Sequence, residues 1–396
     1  MVIEENYQGK LVSVFLIFWL FWFSYNQFNG YTLDSKTIFL IFLTLFAFTI
    51  GWAFRKRKKK TIAILNPKRY YKVSWLFRIV VVINIFLSVV SIAFIYHNGF
   101  DIRSLVFTST GLFDSMGITF FINNFIKPLT YATIIISVTV SIEGKNFINY
   151  GYLLLFLLSI STLGRFPLYF MIYIYAISRI INKKHQSIVK RKRNFIKILS
   201  LILVIGLILY LAWELQISKM EFEGRNLDAF EIIKKYLLNY HIIGFHMLDH
   251  FVLSGSNKYV FPTTSLGQIG WYLHLLTKYS GFLPVFPNSY KNLMEIYNSG
   301  LFLTELNQPA NAFTTCILPF YADGGSVGVF FIFFIIGWFS KSGVRYNIYT
   351  ANPIFISVAF FMTFSLFMPL ISTTFVPTIL FILLFNKYLK TKFVLK

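Results

Sequence analysis

Apolar runs of bilayer length follow one another along this 396-residue chain, separated by short polar breaks and by one long polar and aromatic stretch. Crossing a hydrocarbon core takes roughly 20 apolar residues in helical form, with about 17 to 25 tolerated. Ten windows meet that requirement: Leu11 to Phe28, Ile38 to Phe54, Trp75 to His97, Ile118 to Ile142, Phe147 to Leu163, Phe166 to Ile181, Phe195 to Leu215, Gly324 to Ser340, Ile354 to Leu370 and Ser372 to Leu389. The pattern predicts an all-α, polytopic integral membrane protein of about ten transmembrane helices, with residues 1–396 forming a single membrane domain. The first window lacks a small-residue cleavage pattern and is followed by many more, so it is read as a span and not as a removed leader.

The long exception is 218–312, between the seventh and eighth windows. It carries seven basic and seven acidic residues and four of the six histidines. A large extracytoplasmic loop region that packs on the helix ends as a cap is expected there. Within it, EIIKKYLLNYHIIGFHMLDH repeats its apolar residues at helical spacing, which predicts a helix on or near the membrane surface.

Composition agrees with the pattern. Hydrophobic residues make up 56% of the chain and charged residues only 13%, against about 25% charged in soluble domains. The single cysteine, Cys316, leaves no internal disulfide and no multi-cysteine metal site to build.

Charge changes the picture by orienting it. With the N-terminus in the cytoplasm, RKRKKK (55–60), KKHQSIVKRKR (183–193), Lys341, Arg345 and the Lys-rich C-terminus all fall inside, as the positive-inside rule requires. Inner segments then hold 26 Lys and Arg against three acids, and outer segments ten against twelve. The formal charge of +22 is therefore topology and not a nucleic-acid footprint. The two basic runs would attract anionic membrane lipids.

Each candidate for chemistry has a plainer reading beside it. Arg165, in a Gly-Arg-Phe-Pro turn between two short windows, is either a fork for phosphate oxygens or an interfacial arginine snorkelling to headgroups. Lys127, beside Pro128 in the fourth window, is costly at membrane depth and so marks a wet or protein-lined site, or else stands nearer an interface. Glu214, Glu221, Glu223 and Arg225 collect where the seventh window ends, as an ion-paired helix end or as binding groups. His246 and His250, four residues apart, share a helix face, a spacing for a base with a backup or for two packing residues. No HExxH pattern surrounds them, so zinc is not expected. Asp323-Gly324-Gly325 permits a sharp turn at the start of the eighth window. Tyrosines and tryptophans of the outer region suit sugar stacking or an interfacial belt.

Three local features carry a family resemblance: the Gly164-Arg165 turn, the stretch from Tyr240-His241 through Gly244-Phe245 to Met247-Leu248-Asp249, and the run from Asn311-Ala312-Phe313-Thr314 through Pro319-Phe320-Tyr321 to Asp323-Gly324 with Gly328. With the ten windows and one dominant outer region, the chain resembles the Wzy-type polymerases of O-antigen and capsular polysaccharide. The resemblance implies a GT-C-like helical membrane fold. It also implies a metal-independent, cofactor-free glycosyltransferase of the bacterial cytoplasmic membrane with both termini inside. Its substrates would be undecaprenyl-diphosphate-linked oligosaccharides as donor and acceptor, and its expected partners a chain-length regulator and a flippase. The chemistry needs cations for the diphosphate and a base for the acceptor hydroxyl. Arg165, Arg225, Lys127, Tyr240 and Asp323 are candidates to bind substrate, and His250 or His246 to act as base. An O-antigen ligase shares these needs. A lipid-linked-glycan flippase is the rival from another class, though no internal repeat of the transporter kind is evident.

Overall fold

The computed structural model describes residues 3–54, 67–98, 121–141, 148–162, 167, 170–171, 173, 238–254, 267–281, 284–287, 302–303, 308–309, 315–340, 353–364 and 375–389. Regular structure among them is helical, apart from one pair of two-residue strands. The chain forms two compact units: Met1–Asn66, Asn123–Ala132 and Ile233–Lys396 make the first, Pro67–Ile122 and Thr133–Ile232 the second.

In the first unit, α1 (Ile3–Phe28) and α2 (Ser35–Phe54) form an antiparallel hairpin. Phe15 meets Phe48 at 5.2 Å and Phe23 meets Phe42 at 5.4 Å, both edge to face. α1 stops because Gly30 takes the left-handed conformation at φ 73°, open to glycine at little cost. The Gly30 N–H donates to the Gln27 carbonyl and the Tyr31 N–H to the Asn26 carbonyl, the two bonds of a Schellman cap. α2 starts on Asp34, whose carboxylate accepts from the Lys36 N–H at 2.8 Å, an N-cap bond.

In the second unit, α3 (Pro67–Asn98) and α5 (Ile148–Thr162) run side by side in one direction. Ser88 Oγ donates to the Leu157 carbonyl and Ser91 Oγ to the Ser161 carbonyl. Between them in sequence, α4 (Lys127–Ser141) follows a π turn over Ile122–Ile126, its residues up to Ala132 belonging to the first unit and those from Thr133 to the second. Its end folds back on α5, where a Cβ on Gly151 would crowd Ser137 Oγ at 2.5 Å.

The rest of the first unit comprises α6 (Ile243–Leu253), α7 (Gly267–Ser280), α8 (Ile317–Ser340), α9 (Pro353–Phe364) and α10 (Phe375–Leu389). Strand β1 (Phe302–Leu303) pairs antiparallel with β2 (Gln308–Pro309), Phe302 opposite Pro309. Trp19 Nε1–H donates to the Met362 carbonyl at 2.9 Å, tying α1 to α9. α2 packs closely on the part of α8 after Gly325, and the part before it turns back so that Phe320 meets Phe333 at 5.4 Å. A Cβ on Gly51 would run into the Phe334 carbonyl, and one on Gly337 into that of Phe48. Such close backbone approach is what small residues permit between apolar helices.

Among the described residues, three helices are long and apolar enough to cross a membrane: Ser35–Phe54, Trp75–Ala93 within α3, and Ile317–Ser340. Their outward faces are apolar, with Phe39, Phe42 and Phe46 on α2, Val82, Ile85, Phe86 and Val89 on α3, and Val327, Phe331, Ile335 and Trp338 on α8. Thr37, Thr44, Asn84 and Ser88 are turned inward. An apolar outside around polar interior groups is the arrangement expected of helices solvated by lipid.

Eight of the ten windows contain described helix, while Phe195 to Leu215 lies outside the described residues and Phe166 to Ile181 almost wholly so. Two details differ from the pattern. α8 begins at Ile317, ahead of the window, and breaks at Gly325 (φ 58°, ψ −153°), so the Asp323-Gly324-Gly325 turn interrupts a helix instead of preceding one. The 231–250 segment is described only from Leu238: a 3-10 turn over Asn239–His241 leads into α6, and nearly every residue of α6 is buried. α6 is enclosed, not laid on a surface. Its apolar side chains meet the aromatic rings of α1, and its polar ones find partners at the α1–α2 turn.

Candidate functional site

At about 16 Å for 11 residues, α6 is too short to cross a membrane. Phe245 packs between Trp19, at 6.3 Å, and Phe23, at 6.5 Å. His241, just before α6, stacks flat on Trp22 with centroids 4.2 Å apart. These contacts set α6 against the last turns of α1.

The polar side of this contact is a connected network. Asn26 is fully buried, and its Nδ2 donates to the Tyr31 carbonyl at 2.9 Å. That bond fixes which end of the amide is which, because a carbonyl can only accept. Asn26 Oδ1 therefore faces His246 Nε2, at 2.8 Å. The Tyr31 ring stands edge-on to the imidazole at 5.8 Å. Tyr25 donates its hydroxyl hydrogen to Asn239 Oδ1 at 3.2 Å, and Asn239 Nδ2 donates to the Tyr31 hydroxyl at 3.4 Å. His246 is 2% exposed and Asn239 3%. Tyr31 is half-buried and forms the open side of the group.

One turn along α6, Asp249 Oδ1 accepts from the Asp34 N–H at 2.9 Å. Asp249 thus secures α6 to the residue that caps α2. The Lys36 ammonium lies 5.6 Å from the centre of the Tyr321 ring on α8, and Phe251 meets that ring at 6.5 Å. The start of α2, the far end of α6 and the start of α8 thus share one end of the unit.

The predicted residues distribute unevenly around this site. His246 is inside it. His250 is exposed on the last turn of α6, and its carbonyl accepts from the Ser254 N–H. The two histidines share a helix but not an environment. Asp323 is buried two residues before the Gly325 break. Lys127 is partly buried at the first position of α4, next to Pro128, whose carbonyl accepts from Thr378 Oγ1 on α10. Arg165, Arg225 and the Tyr240 side chain lie outside the described residues. His274 has a local duty: its Nδ1 lies 2.6 Å from the Phe286 carbonyl and so donates to it, joining α7 to the segment after it. Among the described residues, no group of three or more His, Cys, Asp and Glu side chains is gathered to hold a metal ion.

Sequence reasoning overlooked Tyr25, Asn26, Tyr31 and Asn239. The signal available was a polar pair, Tyr25-Asn26, at the end of an apolar window, followed within a few residues by Asn29-Gly30, Tyr31 and Asp34. Turn residues account for Asn29 and Gly30 but give no reason for a buried amide beside them.

No protein-family model matches the chain, and neither a curated protein nor a solved structure matches it.

Proposed function

We propose that the protein is a membrane glycosyltransferase of the Wzy polymerase type. It joins polyprenyl-diphosphate-linked oligosaccharide repeat units into a surface polysaccharide on the outer face of the bacterial cytoplasmic membrane. The observation that carries this reading is an enclosed imidazole, His246, oriented by a buried amide 2.8 Å away. A base held by a third group is the usual arrangement for activating a hydroxyl.

Position supports it. The cluster lies at the Ser35 end of α2, and the run RKRKKK begins directly after the other end, at Phe54. Twenty helical residues separate the two by about 30 Å, the thickness of a hydrocarbon core. With the basic run inside, the histidine faces outward, where lipid-linked repeat units would be joined.

In the proposed step, the acceptor hydroxyl oxygen bonds to the donor's anomeric carbon as that carbon's bond to the diphosphate oxygen breaks. The bonding pair leaves with the polyprenyl diphosphate, and the hydroxyl proton passes to His246. His250, at the exposed end of α6, is the alternative acceptor of that proton. Arg165, Arg225 and Lys127 are proposed to neutralise the diphosphate, and Tyr240 and Asp323 to contact sugar.

The test is reconstitution with a synthetic polyprenyl-diphosphate repeat unit. A ladder of lengthening products is expected, and His246→Ala should slow it by about 10²-fold or more, the range for loss of a general base. A single transfer to a different lipid would make the protein a ligase. Transbilayer movement without any transfer would make it a flippase.

A further inference from the structure

We infer that Asn26 sets the proton position on His246, holding the neutral ring as its Nε2–H form so that Nδ1 is the nitrogen that takes up a proton. This rests on the reading of His246 as the base and assigns Asn26 as its positioning residue.

A neutral imidazole has one N–H donor and one acceptor, and its surroundings choose which nitrogen is which. Here the choice is forced from two bonds away. Asn26 Nδ2 is committed to the Tyr31 carbonyl at 2.9 Å, and the Tyr31 N–H returns to the Asn26 carbonyl. Rotating the amide would set Oδ1 against that carbonyl oxygen, acceptor against acceptor. Oδ1 therefore stays towards His246, and Nε2 can bond to it only by donating. The Schellman cap holds Tyr31 in turn, through Gly30. A backbone motif at the end of α1 thereby decides the protonation pattern of a ring on α6.

Other titratable groups on the elements packed here are Tyr25 on α1, Tyr31 and Asp34 on the turn, Lys36 on α2, Tyr321 and Asp323 on α8, and His241, Asp249 and His250 on or beside α6. The carboxylates of Asp34 and Asp249 accept from backbone N–H groups, and the His246 ring bonds to the neutral amide of Asn26.

The experiment uses full-length protein with ¹⁵N-labelled histidine in nanodiscs, with His246 assigned by comparison with His246→Gln. In the wild type above its titration, His246 should show a protonated Nε2 and an unprotonated Nδ1. Asn26→Leu, which keeps the volume but loses the acceptor, should give a mixture of both forms. It should also lower kcat by about tenfold or more with KM little changed, as expected for misaligned general-base catalysis. A wild-type ring protonated at Nδ1 overturns the inference, and that spectrum decides even if a variant fails to fold. An Asn26→Leu protein with unchanged ring protonation also overturns it. Full polymerisation by His246→Ala would instead remove the base reading, leaving the spectroscopic result to stand by itself.

Discussion

At the scale of single residues, the cluster at the α1–α2 turn separates groups that bind it together from groups available for chemistry. Asp249 belongs to the first kind, because its carboxylate satisfies the Asp34 N–H. Asp249→Ala should strand that donor and cost about 1–3 kcal/mol, seen as a lower unfolding temperature in detergent with or without substrate. Tyr31→Phe removes one end of the 3.4 Å bond from Asn239 but keeps the ring beside His246. It should cost only about 1 kcal/mol and leave most turnover intact, measured on the same reconstituted protein. If the Tyr31 variant were the more damaging to stability, the hydroxyl and not Asp249 would be the main fastening of α6.

At the scale of elements, the break in α8 and the crossing of α2 and α8 are the features most sensitive to substitution. Gly325 sits at φ 58° and ψ −153°, a region open essentially to glycine, so Gly325→Ala should cost about 1–3 kcal/mol. Gly337→Val would force the Phe48 carbonyl away and should destabilise by a similar 1–3 kcal/mol typical of overpacking, read as loss of folded protein on mild heating. Helix identity was largely legible in sequence, because long apolar runs such as 38–54 admit few other structures. The break at Asp323-Gly324-Gly325 was legible from its glycines, but not the helix that runs up to it from Ile317. The depth of α6 was not. Its pattern of apolar and polar residues suits a surface helix equally well, and only the rings of Trp19, Trp22 and Phe23, over 200 positions earlier, convert that pattern into burial. Asn26 was illegible for the same reason: its partner His246 lies 220 residues away.

At the scale of the whole molecule, α2 and the part of α8 after Gly325 cross at Gly51 and Gly337, three residues before Phe54 and Ser340, which brings those two helix ends close together. The basic run after Phe54 and Lys341 after Ser340 then fall together, which is the sorting that the positive-inside rule demands. Single cysteines introduced at Ser35 and at Ser256, in a Cys316→Ser background, should react with an impermeant maleimide added to intact spheroplasts. A cysteine at Lys58 should react only after the membrane is opened. The reverse labelling pattern would turn the proposed site to the cytoplasm and end the polymerase reading.

The cluster draws its parts from 25–36, 239–253 and 317–323, with almost 300 residues between the first and the last. During synthesis, the hairpin of α1 and α2 leaves the ribosome long before α6 and α8 exist, so the Asn26 amide and the Gly51 face must wait in the bilayer without their eventual partners. The proposed site is therefore complete only when the final third of the chain is inserted, and a product truncated before it should be inactive in the reconstitution assay. The same geography means that two co-expressed halves, divided in the basic stretch 183–193, carry complementary pieces of the cluster. Restored activity from such halves would reveal how much of this protein's assembly is association of finished helices and how little depends on the order in which they are made.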